Sequence, residues 1–248
     1  AQLREEPKEL FSSEARRSAR YNAILQAIAE GHRATTEIAG YASSKTLSAI
    51  KPASLPPYFK VLTNQLNVLE RDDPLFGKEK HGRYCFSDPF YEFWYKFIFP
   101  HQEALELENY SFIEEKIARE LPALEGKTFE KICRQFLALH NNKKIKGLEL
   151  DLTQLGAWWN RASNKLEPTE IDIVGKNKDK LLLGEVKYTK TLMEENTLRN
   201  LIEVKAKRVP YSGKIDFIAF SKNGFTPECL EYAEKTGATT LDLKEMTQ

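Results

Sequence analysis

Residues 170–190, which read EIDIVGKNKDKLLLGEVKYTK, constrain the fold of this chain more than any other stretch. Two apolar runs flank the polar turn GKNKDK, and this pattern predicts two strands joined as an antiparallel hairpin. Asp172, Glu185 and Lys187 stand inside those runs. A buried charge is costly unless it is paired, hydrogen-bonded or bound to a metal. The fold must therefore supply groups that compensate these three charges.

Strand geometry predicts how the three charges are arranged. Side chains alternate between the faces of a strand, so Glu185 and Lys187 point the same way, roughly 6.6 Å apart at about 3.3 Å per residue. The same alternation predicts that Asp172 faces away from both Ile171 and Ile173, and the hairpin brings it beside Glu185. Two adjacent carboxylates repel unless a cation separates them, and oxygen ligands of this kind suit Mg²⁺ or Mn²⁺. A lysine beside such a metal would hold or activate a water, or bind a phosphate oxygen, which predicts phosphodiester hydrolysis.

The segments around the hairpin predict a mixed sheet. An amphipathic helix, TFEKICRQFLALH, precedes a strand that contains GAWWNR. After the hairpin, a helix over 194–209 is followed by a strand KIDFIAF, a helix TPECLEYAEKTG and a strand ATTLDL. The order α-β-β-β-α-β-α-β predicts an α/β (α+β) domain with a mixed central sheet and helices on both faces. We expect the adjacent Trp158 and Trp159 to lie in its core.

The first hundred residues predict a separate architecture. Helical spacing is found from Tyr21 to Ile28, in TTEIAGYA, and from Tyr58 to Leu69. A strand with Leu75 and Phe76, a basic turn and a second strand, RYCF, come next. Three helices followed by a hairpin are the order of a winged helix-turn-helix.

A winged helix predicts contacts with nucleic-acid phosphates from its third helix and its wing. The candidate side chains are Lys60, Thr63 and Asn64 in the helix, and Lys78, Lys80 and Arg83 in the wing. Winged helices also dock onto proteins, and the wing mixes Glu79 with its lysines, so that alternative stays open.

Composition limits the class of protein. The net charge of +1 excludes a strong global field, so a nucleic acid would have to be met by local basic patches. Three widely spaced cysteines without a CxxC pair argue against a disulfide framework and favour the reducing cytoplasm. The most apolar stretch, FYEFWYKFIFP, is too short to span a bilayer, and no membrane partner is expected. We predict a winged-helix domain with a charged lead over 1–100, a helical linker over 101–125 and a nuclease-like domain over 126–248.

These motifs resemble a known family. Glu130 on a helix, Asp172 on a strand, and Glu185 and Lys187 on the next strand match the pattern of the PD-(D/E)XK nuclease superfamily, which has a restriction-endonuclease-like fold. FYEFWYKFIFP, the tryptophan pair, EIDIV and LLLGEVKY resemble the C-terminal region of the archaeal-type DEXX-box ATPases. In that family a P-loop ATPase domain precedes a winged helix and a nuclease-like domain. The resemblance covers nearly the whole chain from about residue 20 onward.

The resemblance implies a metal-dependent DNA endonuclease. Asp172 and Glu185 would hold Mg²⁺ or Mn²⁺, Lys187 would position or deprotonate the attacking water, and Glu130 would complete the metal or water shell. Lys205 and Lys207, on the following helix, are expected near the scissile phosphate. The competing interpretation is a catalytically inactive DNA-binding or regulatory module that acts with a separate ATPase.

The ATPase part of that family is not found in this sequence. GKT occurs at 126–128, but a phosphate-binding loop needs a second glycine five residues upstream, where Leu121 stands. We interpret this GKT as a chance match at a helix start and assign no ATP hydrolysis to the chain. The expected partners are DNA, a second copy of the chain and an ATPase supplied in trans.

Overall fold

Within the described residues 15–46 and 49–65, apolar residues at helical spacing form three α-helices. α1 (Ala15–Ala29) is followed by Gly31, whose φ of +94° is a left-handed conformation that favours glycine after a helix. α2 is Thr35–Lys45, and α3 is Pro56–Lys60, which wider helical turns extend through Val61–Gln65. Their inward side chains meet in one core, which includes Ile24, Ile28, Ile38 and Leu62.

The computed structural model describes residues 15–46, 49–76, 82–160 and 167–247. Contacts divide the chain into two compact units. The boundary between them falls inside a long helix, between Leu121 and Pro122. Of the described residues, 15–46, 49–72 and 82–121 form the first unit, and 73–76, 122–160 and 167–247 form the second. The predicted wing residues Lys78 and Lys80 lie outside the described residues.

A short antiparallel hairpin completes the helix-hairpin order of the first unit. β1 (Leu69–Asp72) pairs with β2 (Arg83–Phe86), and Leu69 lies opposite Phe86. The predicted extension of the third helix to Leu69 is wrong. Asn67 has a φ of +51°, a left-handed conformation that a right-handed helix cannot continue through, and the strand begins at Leu69.

Helices follow the hairpin. They are α4 (Pro89–Phe93, extended by Trp94–Ile98), α5 (Gln102–Glu106) and α6 (Tyr110–Leu139). Gly126 lies inside α6, so the predicted helix start at GKT is wrong. Because the N–H groups of a helix interior are bonded within the helix, this GKT cannot wrap a phosphate. Across the described residues, no helix combines the length and the apolarity that crossing a membrane requires.

The second unit contains a five-stranded mixed sheet whose strands lie side by side in sequence order. Its strands are β5 (Gln154–Asn160), β6 (Thr169–Lys176), β7 (Lys180–Lys187), β8 (Lys214–Ser221) and β9 (Thr239–Asp242). Before it, β3 (Lys144–Ile145) and β4 (Leu148–Glu149) form a small hairpin. The helices are α7 (Glu195–Asn200, extended to Arg208), α8 (Pro227–Thr236) and α9 (Leu243–Met246). β5, β6 and β7 run antiparallel and β7, β8 and β9 run parallel, so the predicted α+β class and mixed sheet are confirmed.

The sheet carries a core on each face because β7 is apolar on both sides. Leu181 and Leu183 pack in one cluster together with Leu198 of α7, whereas Leu182 packs in another with Phe129 of α6. A strand covered by helices on both faces of the sheet must bury apolar side chains on each face, as β7 does. Trp158 and Trp159 are both buried, as predicted.

Leu75 and Phe76 do not form the first strand of the wing. The N–H of Leu75 donates to the carbonyl of Ala157 in β5 over 2.9 Å. The indole N–H of Trp158 donates to the carbonyl of Phe76, also over 2.9 Å. These bonds hold the segment against the edge of the sheet, where it satisfies the Ala157 carbonyl of the edge strand β5.

Gly184→Ala is expected to destabilise the second unit by about 1–3 kcal/mol, the usual cost of overpacking a core. A Cβ at this position would lie 2.9 Å from the Cβ of Ile173 and 2.9 Å from the Cγ2 of Ile218. Urea unfolding measures the change. Gly126→Ala is the control in the same unit, because its Cβ meets nothing closer than 4.0 Å and alanine favours the interior of α6. Equal stability of both variants would contradict the packing described for β7.

Candidate active site

A β-bulge lies at Asp172. The register of β5 with β6 shifts so that Asp172 and Ile173 together oppose Ala157. An extra residue of this kind breaks the alternation of side chains and re-aims them. As a result Ile171 and Ile173 lie in cores on opposite faces of the sheet, and the prediction that they share a face is wrong.

β6 and β7 separate where the charged residues begin. Their Cα register ends at the pair Ile173 and Gly184. Beyond it, the N–H of Val186 donates to Oδ2 of Asp172 over 2.9 Å, so a side-chain oxygen replaces the main-chain acceptor. Arg134 of α6 donates from Nη1 to the carbonyl of Asp172 over 2.8 Å. The aspartate is therefore anchored through both its backbone and its side chain.

Glu185 of β7 is compensated by two lysines. Nζ of Lys205, from the extension of α7, donates to Oε2 over 2.7 Å. Nζ of Lys187 lies 3.6 Å from Oε1, consistent with the predicted shared face. The Glu185 side chain is only 7% exposed and that of Lys187 is 41% exposed. One carboxylate is thus enclosed, while one ammonium beside it still reaches solvent.

The electrostatics link Asp172 to two other carboxylates. Burial contributes most to raising the pKa of Asp172 to about 8, and the charges of Glu185 and Glu130 add to the rise. The N–H of Val186 and the Lys205 ammonium act in the opposite direction. The charge of Glu130 in α6 therefore acts on the Asp172 carboxyl, as the charge of Glu185 in β7 does. Burial and the two neighbouring carboxylates together outweigh the contacts that stabilise the charged form of Asp172.

The donor set fits a hard divalent cation. Within the described ranges, no three His, Cys, Asp or Glu side chains form a ready-made metal cluster. Mg²⁺ seldom uses such a cage: it keeps several waters and takes one or two carboxylates together with substrate phosphates. Asp172 and Glu185 offer that number of carboxylates, and a cation would relieve the repulsion that adds to the effect of burial on the pKa of Asp172.

The other predicted contact residues lie in different surroundings. In the first unit, Lys60 and Asn64 are exposed, and the Thr63 hydroxyl donates to the carbonyl of Phe59. Arg83 lies in β2. In the second unit Lys207 is exposed, whereas Lys205 is held by Glu185.

Three contacts at the site were not predicted. Arg134 could have been found, since it lies four residues after Glu130 and side chains at that spacing share a face of a helix. The bond from the Val186 N–H depends on the strand separation, for which the sequence carries no signal. The pairing of Lys205 with Glu185 depends on how α7 packs on the sheet, which is a tertiary feature.

Comparisons with known proteins relate the site to a family of unknown function. Residues 94–208 match the family DUF234, described as archaeal and bacterial proteins of unknown function. An uncharacterized protein of Methanocaldococcus jannaschii is 34% identical over 190 residues, which are 75% of this chain and 39% of that protein. The chain thus spans about two fifths of the length of this relative. No solved structure matches. The part of the chain that contains Glu130, Asp172, Glu185 and Lys187 is therefore similar to the DUF234 domain of archaeal and bacterial proteins.

Proposed function

We propose that the second unit is a metal-dependent nuclease that hydrolyses phosphodiester bonds in DNA. The observation that carries the proposal is the arrangement where the pairing of β6 with β7 ends: Asp172 accepts there from the Val186 N–H, Glu185 lies beside Lys187, and the charges of Glu185 and Glu130 both act on Asp172. The resemblance of these residues to the PD-(D/E)XK pattern supports the same reaction.

Each residue has a role that its surroundings support. Asp172 and Glu185 would hold the cation, because they are the enclosed carboxylates at the strand separation. When bound, a divalent cation supplies charge stabilisation to the phosphate under attack. Lys187 would orient the attacking water or bind a phosphate oxygen, since its ammonium is beside Glu185 and its side chain is 41% exposed. Glu130 would complete the shell of the metal or its waters.

The reaction consumes one water. Its oxygen forms a bond to phosphorus while one phosphorus–oxygen ester bond breaks. One product carries a phosphate monoester and the other a hydroxyl group. The chain supplies positioning and charge for this displacement and forms no covalent intermediate with the substrate.

DNA is the proposed substrate because the first unit has the element order of a winged helix. Lys60 and Asn64 are exposed on its third helix and its extension. Phosphate contacts by such residues give an affinity that falls steeply with salt and depends little on sequence. The first unit would thus hold DNA while the second unit cleaves it.

The test is incubation of the full chain with supercoiled plasmid and with a branched oligonucleotide, in Mg²⁺, in Mn²⁺ and in a chelator. We expect nicked or cut products with either metal and intact DNA in the chelator. Intact DNA under every metal would contradict the proposal.

A second candidate function is a DNA-binding module without catalysis, acting with an ATPase in trans. The observation that favours it is that a lysine lies near each carboxylate oxygen of Glu185 and compensates its charge. Such a cluster can serve as a structural ion pair. This module would bind both DNAs in the same assay with an affinity that neither the metal nor Lys187→Met changes.

A further inference from the structure

The Lys205 ammonium lies directly on one carboxylate oxygen of Glu185. Its Nζ donates to Oε2 over 2.7 Å, whereas Lys187 lies 3.6 Å from Oε1. The two partners are also enclosed, with side chains 22% and 7% exposed. Solvent therefore screens this pair little, and separating it costs more than separating an exposed pair.

We infer that Lys205 is a positioning residue that holds Glu185 and must leave its Oε2 when a divalent cation binds. The inference rests on the proposed metal site. A doubly charged cation near Asp172 and Glu185 would repel the ammonium and would need the oxygen that the ammonium occupies. The cost of releasing Lys205 is subtracted from the free energy of metal binding, so the free chain binds metal weakly.

The inference adds a regulatory consequence to the proposed function. A ligand that binds the released Lys205 ammonium increases the affinity of the site for metal. Bound metal then increases the affinity for that ligand by the same factor. A DNA phosphate is such a ligand. Metal and DNA would then bind the site cooperatively, and the chain without DNA would stay largely metal-free.

Calorimetric titration of the full chain with Mn²⁺, without DNA, tests the competition directly. We expect Lys205→Gln to bind Mn²⁺ about tenfold more tightly than the unmodified chain, a change of about 1.4 kcal/mol. Lys235→Gln is the matched control, because Lys235 is 69% exposed and pairs with Glu231 on α8. Asp172→Asn should lose the binding. A merely structural ion pair would leave the affinity of Lys205→Gln unchanged or lower it.

A second measurement uses the unmodified chain and does not depend on the variant folding. Mass spectrometry after labelling with an amine-reactive reagent reports how accessible each ammonium is. We expect Mn²⁺ to increase the labelling of Lys205 and to leave that of Lys235 unchanged.

The outcomes separate the two proposals. Mn²⁺ binding that Lys205→Gln does not strengthen, or labelling of Lys205 that Mn²⁺ does not raise, would overturn the role of Lys205 and leave the metal site standing. If neither the unmodified chain nor Lys205→Gln binds Mn²⁺, both the metal-dependent function and the competition are overturned.

Discussion

Asp172→Asn and Lys187→Met are each expected to lower the rate of DNA cleavage by about a hundredfold to a thousandfold. Removing one preorganised charged or hydrogen-bonding group from the site of a developing charge typically costs this much. The amide of the Asp172→Asn variant would keep an oxygen for the Val186 N–H but would lose the negative charge that attracts the cation. Lys187→Met keeps the length of the side chain but removes the ammonium that lies 3.6 Å from Glu185.

The measurement is the initial rate at which supercoiled plasmid becomes nicked, at saturating Mg²⁺ and a fixed salt concentration. Lys190→Met is the matched control for the lysine, because Lys190 is exposed in the turn after β7. We expect its rate to equal that of the unmodified chain. If Lys187→Met cleaves as fast as Lys190→Met, the ammonium of Lys187 has no part in the reaction.

The metal-free protein is expected to lose stability through Asp172 as the pH rises from about 4 to about 8. The ordinary pKa of this carboxyl is 3.8, and burial with the charges of Glu185 and Glu130 raises its pKa to about 8 in the folded protein. Between these values the folded state keeps a proton that the unfolded state has lost, so stability falls with increasing pH. Above about 8 both states are ionised and the loss is complete.

Asp172→Asn removes this dependence, because the amide carries no charge to desolvate. At pH 9, without metal, we expect the variant to be more stable than the unmodified chain. One unit of pKa corresponds to about 1.4 kcal/mol, so the rise from 3.8 to about 8 sets an upper limit of about 6 kcal/mol on the gain. For a chain of this size each 1 kcal/mol of added stability raises Tm by about 2–4 °C. At pH 4 the two proteins should unfold at similar temperatures.

Thermal unfolding in chelator from pH 4 to pH 9 measures this difference. Glu114→Gln, a change at an exposed position of α6, is the control and should follow the unmodified chain at every pH. Because other groups titrate in the same range, only the difference between variant and parent reports on Asp172. An Asp172→Asn protein that is less stable than the parent at pH 9 would contradict the raised pKa described for Asp172.

The general arrangement of the site follows from local sequence. The apolar runs around a polar turn predict the β6–β7 hairpin, which the pairing of the two strands confirms. Strand alternation predicts that Glu185 and Lys187 share a face, in agreement with the 3.6 Å between Oε1 and Nζ. The order of helices and strands predicts the mixed sheet. These features depend on periodicity and turn chemistry within a few residues, which a sequence displays directly.

The details that shape the site depend on contacts between distant segments. The bulge at Asp172 arises from the register of β5 with β6, which no pattern inside β6 encodes. Leu75 and Phe76 look like a wing strand, but they bond to the edge of β5, because an edge strand offers unpaired main-chain groups. Lys205 looks like a surface lysine of a helix until the packing of α7 brings it to Glu185.

Locating Mn²⁺ by anomalous diffraction from crystals of the chain grown with the ion, with and without a DNA duplex, tests the metal site most directly. We predict an anomalous peak at the carboxylates of Asp172 and Glu185, with the Lys205 ammonium moved away from Oε2. A structure in which Mn²⁺ is absent from this position under both conditions, while Lys205 still bonds to Glu185, would contradict a metal-dependent nuclease and favour the module without catalysis.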